Sequence, residues 1–156
     1  MTFTETQKFA PAILWLVRIL PALIATILSI AFLGANIPTY QVLIIFAISL
    51  APMLLLIPLF ELTRLKTKID KSGIHMSFKP FSQKQYAWDD IESAELIDYG
   101  FVGGWGIRKS RKYGTVYNTQ GSKGVWLKLK NGKKVVIGTQ RTAELKRVLT
   151  KTFPTT

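Results

Sequence analysis

The chain contains no cysteine and one histidine, His75. Disulfides, thiolate nucleophiles and Cys-ligated zinc are therefore excluded, and a single imidazole cannot build a His-rich metal site. No Gly-x-Ser-x-Gly is present, and no second histidine accompanies the serines. Acidic residues are also scarce: 9 Asp and Glu stand against 21 Lys and Arg, a formal net charge of +12. The four carboxylates that cluster, Asp89, Asp90, Glu92 and Glu95, lack metal-loop spacing and read as turn formers and solvated partners for lysines. These absences point away from an enzyme and imply no cofactor.

Charge is missing altogether from residues 40–60, and residues 9–33 carry one cation, Arg18. About 20 apolar residues suffice to span hydrocarbon, so both segments can cross a bilayer. Gly34, Asn36 and Pro38 lie between them, and so short a link forces the second helix to return antiparallel. Arg18 has a long stem that can lift its guanidinium to the headgroups. A cleaved signal peptide ending near Gly34-Ala35 competes for the first segment, but Leu33 stands where a small side chain is needed.

Cations flank the helices on one side only. Lys8 and Arg18 precede the first core, and Arg64, Lys66, Lys68 and Lys71 follow the second. The expectation is a multi-pass protein of the inner (plasma) membrane with both termini cytoplasmic. Residues 1–63 form the membrane hairpin and residues 64–156 a soluble domain. Lys8, Arg18 and Glu5 leave only +1 before Glu61, so about +11 falls from Glu61 onward, and the nearest polyanion is the anionic leaflet. No nucleic acid is expected as partner.

The soluble part reads as strands closed by a helix. Leu65, Thr67 and Ile69 alternate with polar residues, as do Ile74, Met76 and Phe78, across the turn Asp70-Lys71-Ser72-Gly73. Further strands are read at residues 85–87, 92–99, 113–118, 125–129 and 133–138, with Asn131-Gly132 as a type I′ turn. Leu145, Val148, Leu149 and Phe153 recur at helical spacing, predicting a helix over residues 141–153 ahead of Pro154. The pattern predicts a bent antiparallel sheet or barrel plugged by that helix.

Residues 100–112 are the most unusual stretch: four glycines around Trp105, then Arg108, Lys109, Arg111 and Lys112. They match neither a dinucleotide fingerprint nor a P-loop and predict an exposed loop. Trp105 either plugs the sheet or marks the bilayer interface, and the core placement is the one expected. The four cations, with Lys66 and Lys68, are the candidates for meeting anionic headgroups, each contributing about 1 kcal/mol near the surface.

Trp88-Asp89-Asp90-Ile91 between strands, with Gly103-Gly104-Trp105-Gly106-Ile107-Arg108, Gly121-Ser122-Lys123-Gly124-Val125 and Ile137-Gly138-Thr139-Gln140-Arg141, resembles small bacterial two-helix membrane proteins carrying a pleckstrin-homology-like (bacterial PH) domain. The resemblance spans residues 65–153. It implies about seven strands plus a C-terminal helix, and no activity. The expected function is a non-catalytic, membrane-anchored interaction module that docks on the anionic inner leaflet or on an unidentified protein partner. The alternative is an accessory subunit assembled into a larger membrane complex through its helical hairpin.

Overall fold

A computed structural model of the chain describes residues 2–33, 35 and 37–152. Gly34 and Asn36 of the expected link, and Phe153 and Pro154 at the expected helix end, lie outside these residues. The chain divides into two compact units, residues 10–62 and residues 1–9 with 63–156.

The first unit is a pair of helices, α1 (Pro11–Leu33) and α2 (Thr39–Leu62), each long and apolar enough to cross a membrane. Their large side chains point outward instead of into a core: Leu54 is 83% and Ile48 66% exposed, and only Ala25 and Val42 are buried. Hydroxyls inside the helices are satisfied locally, with Ser29 Oγ donating to the Ala25 carbonyl at 2.8 Å and Ser49 Oγ to that of Ile45 at 2.7 Å. Arg18 does not stand alone. Its guanidinium pairs with Glu61 of α2, so the one cation of α1 meets the one carboxylate of α2.

The second unit begins with a strand absent from the sequence reading. β1 (Phe3–Gln7) pairs antiparallel with β2 (Arg64–Asp70), which pairs with β3 (Gly73–Lys79) and then β4 (Ser82–Ala87). Residues 1–9 thus belong to the β unit and not to the hairpin. The hairpin leaves the sheet at Gln7 and returns opposite it at Leu65. A 3-10 turn, Trp88–Asp90, leads into a second sheet of β5 (Ile91–Asp98), β6 (Gly106–Ser110), β7 (Gly114–Asn118), β8 (Lys123–Leu129) and β9 (Lys134–Gly138), in the order β5-β8-β9-β7-β6.

Several expectations change here. The described residues form nine strands, in two open sheets and not one closed barrel, and β7 runs parallel to β9. The Asn131-Gly132 turn is a three-residue loop: Gly132 N–H donates to the Leu129 carbonyl at 2.8 Å, Leu129 N–H to that of Lys133 at 2.9 Å, and Gly132 takes φ +80°. That is a type I turn with a glycine bulge rather than a two-residue I′ turn. The C-terminal helix α3 (Thr142–Thr152) is present, burying Leu145, Val148 and Leu149.

The core forms where the inner faces of both sheets meet. Leu65, Ile69, Ile74, Met76 and Phe78 face Val125, Leu127 and Ile137, with Phe78 and Tyr117 rings 6.4 Å apart. Across this seam β1 contributes polar groups. Glu5, 5% exposed, accepts from Thr139 Oγ1 at 2.6 Å and Gln140 N–H at 2.8 Å, and Gln7 Nε2 donates to the Gly138 carbonyl at 2.7 Å. Arg141 closes the same edge, donating to the Thr4 carbonyl at 3.0 Å and lying over the Phe3 ring.

Residues 1–8 joined to residues 64–156 through an Asn-Gly turn should therefore fold as a soluble, cooperatively melting unit. Residues 64–156 alone lose Phe3 burial and the Glu5 and Gln7 bonds, together roughly 3 kcal/mol or more, and expose the edge of β2. Urea unfolding followed by tryptophan fluorescence checks this; equal stability of the two proteins would show that β1 is dispensable.

Candidate functional site

Among the residues expected to meet anions, the structure separates two groups. Lys66 and Lys68 stand on the outer face of β2, in the first sheet, while Arg108 and Lys109 lie in β6, the edge strand of the second. Arg111 and Lys112 occupy the turn from β6 to β7. The expected basic loop is thus half strand. Its charge run hides a two-residue alternation, Arg108 opposite Val116 and Lys109 opposite Thr115, so these two side chains leave opposite faces of the sheet. Charged side chains on an edge strand also discourage pairing with other chains. Lys112 Nζ lies 5.0 Å from the Tyr113 ring centre, and a side chain at Gly104 would meet the Arg108 guanidinium at 3.1 Å.

The glycine-rich segment ahead of β6 is tied at both ends. Tyr99 is buried, its hydroxyl accepts from Asn118 Nδ2 at 3.2 Å, and Asn118 Oδ1 accepts from Gly106 N–H at 3.0 Å. Val102 packs with Val116, Val136 and Trp126 on the outer face of the second sheet. Gly100, Gly103, Gly104 and Gly106 all have positive φ, which lets the chain fold over this small cluster. Phe101 is left 82% exposed and Ile107 40%. Trp105 is 42% exposed, so the expected core placement is corrected: Val102 and Trp126 fill the space, and Trp105 faces water at the rim. Reading single residues gave no signal for Phe101, because only the fold of the loop decides which of its apolar side chains turns inward.

Two ionisable groups report on this anchorage. The Ser122 hydroxyl, then the Gly100 N–H at 3.1 Å, hold the Asp98 carboxyl below the usual carboxylate range. Burial pushes the Tyr99 phenol up, with the bond from Asn118 opposing it.

The first sheet carries a second feature that the sequence reading lacks. By register, Lys66, Ser77 and Gln83 form one cross-strand row on the outer face, and Lys68, His75 and Gln85 the next. A hollow of about 430 Å³ opens over these rows. Lys68 Nζ lies 2.8 Å from Asp70, and that ammonium, followed by the hydroxyl and N–H of Ser72, holds the Asp70 carboxyl well below its ordinary value. His75 Nε2 sits 3.0 Å from Ser72 Oγ and 3.3 Å from Asp70 Oδ1. Ser72 donates to Asp70 and not to the imidazole, so this trio does not activate a nucleophile. The alternation of β2 and β3 was legible, but the facing of β4 was not, because Ser82–Ala87 has one apolar anchor, Tyr86.

Because the folded-state pKa of Asp98 is depressed, its contribution is present above the unfolded value near 3.8 and is lost as pH falls through the lower folded value. Asp98→Asn should speed amide exchange across residues 100–105 at pH 6 and resemble the native chain under acid conditions. Hydrogen exchange with mass spectrometry at both pH values checks this; unchanged exchange at pH 6 would show that Asp98 does not hold the loop.

No protein-family model, curated protein or solved structure matches the chain.

Proposed function

We propose that the protein is a non-catalytic, membrane-anchored interaction module whose β unit, a variant of the pleckstrin-homology-like scaffold, docks on the anionic inner leaflet. The observation that carries this reading is that exposed aromatics and cations fall in one short segment: Phe101 and Trp105 stand open in the loop before β6, and Arg108, Lys109, Arg111 and Lys112 are exposed along β6 and the turn after it. Aromatic rings favour the headgroup level and cations favour anionic lipid, so such a segment suits a bilayer surface better than open water. Two sheets with a helix at the end support the scaffold, and the parallel β7–β9 pair departs from it.

The strand pairing supports a hairpin that crosses twice: β1 and β2 are hydrogen-bonded neighbours, and two crossings would leave the chain before α1 and after α2 on the same side of the membrane, as that pairing needs. A cleaved signal would discard β1. The cations gathered on that side, Lys8, Arg64, Lys66 and Lys68, support the cytoplasm as its compartment.

Docking costs nothing in translational freedom, since the tether already holds the unit near lipid. The chain carrying Phe101→Cys coupled to an environment-sensitive aromatic dye, whose ring takes the place of the phenyl group, should show a blue shift in phosphatidylglycerol-containing bilayers and none in phosphatidylcholine. Converting Arg108, Lys109, Arg111 and Lys112 to Gln should remove at most about 4 kcal/mol of attraction, less in salt, and abolish the shift. Equal spectra in both bilayers would overturn the reading. Topology is checked independently, without background thiols: Ala35→Cys should react with an impermeant maleimide on intact cells and Thr115→Cys should not, and the reverse result would invert the orientation.

A further inference from the structure

We infer that the hollow on the outer face of the first sheet is a binding site for a phosphate monoester, held by Lys66, Lys68, His75, Ser77, Gln83 and Gln85. The site stands apart from the docking reading, because it lies on a different sheet from the glycine-rich loop and its cations.

Geometry and charge support it together. Among the described residues, the lining includes no carboxylate; Lys66 and Lys68 stand on the face the hollow covers, whereas Lys84, opposite the inward Met76, leaves the other face of β4. Lys68 is partly neutralised by Asp70, whereas Lys66 enters no ion pair among the described residues. Lys66 and Lys68 are two residues apart on one face of a strand, a spacing of about 6.6 Å, and neighbouring strands lie about 4.8 Å apart. Donors spread over such a patch suit a tetrahedral, doubly charged group whose several oxygens point in different directions. A carboxylate has only two oxygens to offer.

Ser77 supplies the second observation. Its hydroxyl is shielded from solvent and has no hydrogen-bond partner among the described residues. Buried hydroxyls without partners are uncommon and costly. The side chains beside it, Lys66 and Gln83, are long and exposed, so they can move apart to admit a ligand. A phosphate oxygen seated between them would accept from Ser77 Oγ, Lys66 Nζ and Gln83 Nε2. The Asp70 and Ser72 side chains, within hydrogen-bond distance of the His75 ring, fix its orientation at the far wall. Gln85 completes the row beside it.

The ligand has two natural sources, a phosphomonoester lipid headgroup or free phosphate, and the test separates them. The full chain in neutral detergent is titrated with inorganic phosphate by calorimetry, ionic strength being held constant with chloride. Saturable binding at one site is expected. Gln83→Glu, an exposed substitution that places a carboxylate at the hollow, should weaken it by at least about tenfold, as should Lys66→Gln, while thermal melting stays unchanged. Ser77→Ala should weaken binding several-fold with no loss of stability, since the hydroxyl has no partner to lose. The quadruple Gln variant of Arg108, Lys109, Arg111 and Lys112 should bind phosphate as the native chain does, even where it no longer docks.

In a second arm, the chain in phosphatidylcholine nanodiscs is titrated with phosphate, with and without phosphatidic acid. Competition by phosphatidic acid assigns the site to a lipid headgroup, and its absence assigns the site to soluble phosphate. Linear, unsaturable heats, native affinity in Gln83→Glu, or equal weakening by the quadruple variant would each overturn the site in favour of a diffuse positive field.

Discussion

The pairing of Phe3–Gln7 with Leu65–Ile69 constrains both units of the molecule. It joins strands separated by the whole hairpin, a closure that would cost a flexible chain of this length roughly 3–4 kcal/mol. An antiparallel pair of helices returns the chain to its starting point and so meets much of that cost in advance. Register is set by polar chemistry. A slip of one residue would turn Glu5 and Gln7 outward and bring Thr4 and Thr6 against the seam, leaving Thr139, Gln140 and Gly138 without their partners. A carboxylate is costly to bury unless it is hydrogen-bonded, and Glu5 meets two donors that belong to the end of β9 and the approach to α3. The N-terminal strand therefore fastens the first sheet to the second.

This dependence explains what was legible in the chain. The two long helices announced themselves as uncharged apolar runs, the β2–β3 turn by its turn residues, and β2, β3, β8 and α3 through apolar periodicity, because each of these four buries one face and solvates the other. β1 did not. Phe3-Thr4-Glu5-Thr6-Gln7 buries alternate residues as cleanly as β2 does, but two of its three inward side chains are polar, so the period-2 signal is hidden. Periodicity also reports which face a residue occupies and not which strand lies beside it. The parallel alignment of Val116 with Val136, and the splitting of the unit into two sheets, were beyond its reach.

The candidate sites show the same division. The cations were visible as a run, but the run concealed an edge strand that sends Arg108 and Lys109 to opposite faces, and the loop's apolar residues could be sorted only by its fold. Val102 turns inward because Val116 and Val136 leave an apolar surface uncovered on the outer side of the second sheet. With Tyr99 and Gly106 fixed to Asn118, the chain between them has little freedom, and packing Val102, partly buried, against Val116 and Val136 leaves Phe101 and Trp105 outside. The hollow of the first sheet, in turn, depends on β2, β3 and β4 presenting six side chains in two cross-strand rows. No short motif encodes such rows.

Charge separates the two units more sharply than hydropathy does. Residues 10–62 contain one cation and one anion, Arg18 and Glu61, and these pair with each other. The hairpin is thus formally neutral, and the entire net charge of +12 belongs to the β unit. In a bilayer, a lone arginine seven residues into α1 would have to reach the headgroups across about 10 Å of helix, and pairing with a carboxylate near the end of α2 would lower that demand. In any medium the pair favours one antiparallel register of the hairpin over neighbouring ones, since sliding either helix by a turn would separate the charges. Within the β unit the polar seam of Glu5 and Gln7 does the corresponding work, holding Gln7 opposite Leu65. Each unit thus fixes its own antiparallel register with charged or polar groups rather than with apolar contact alone.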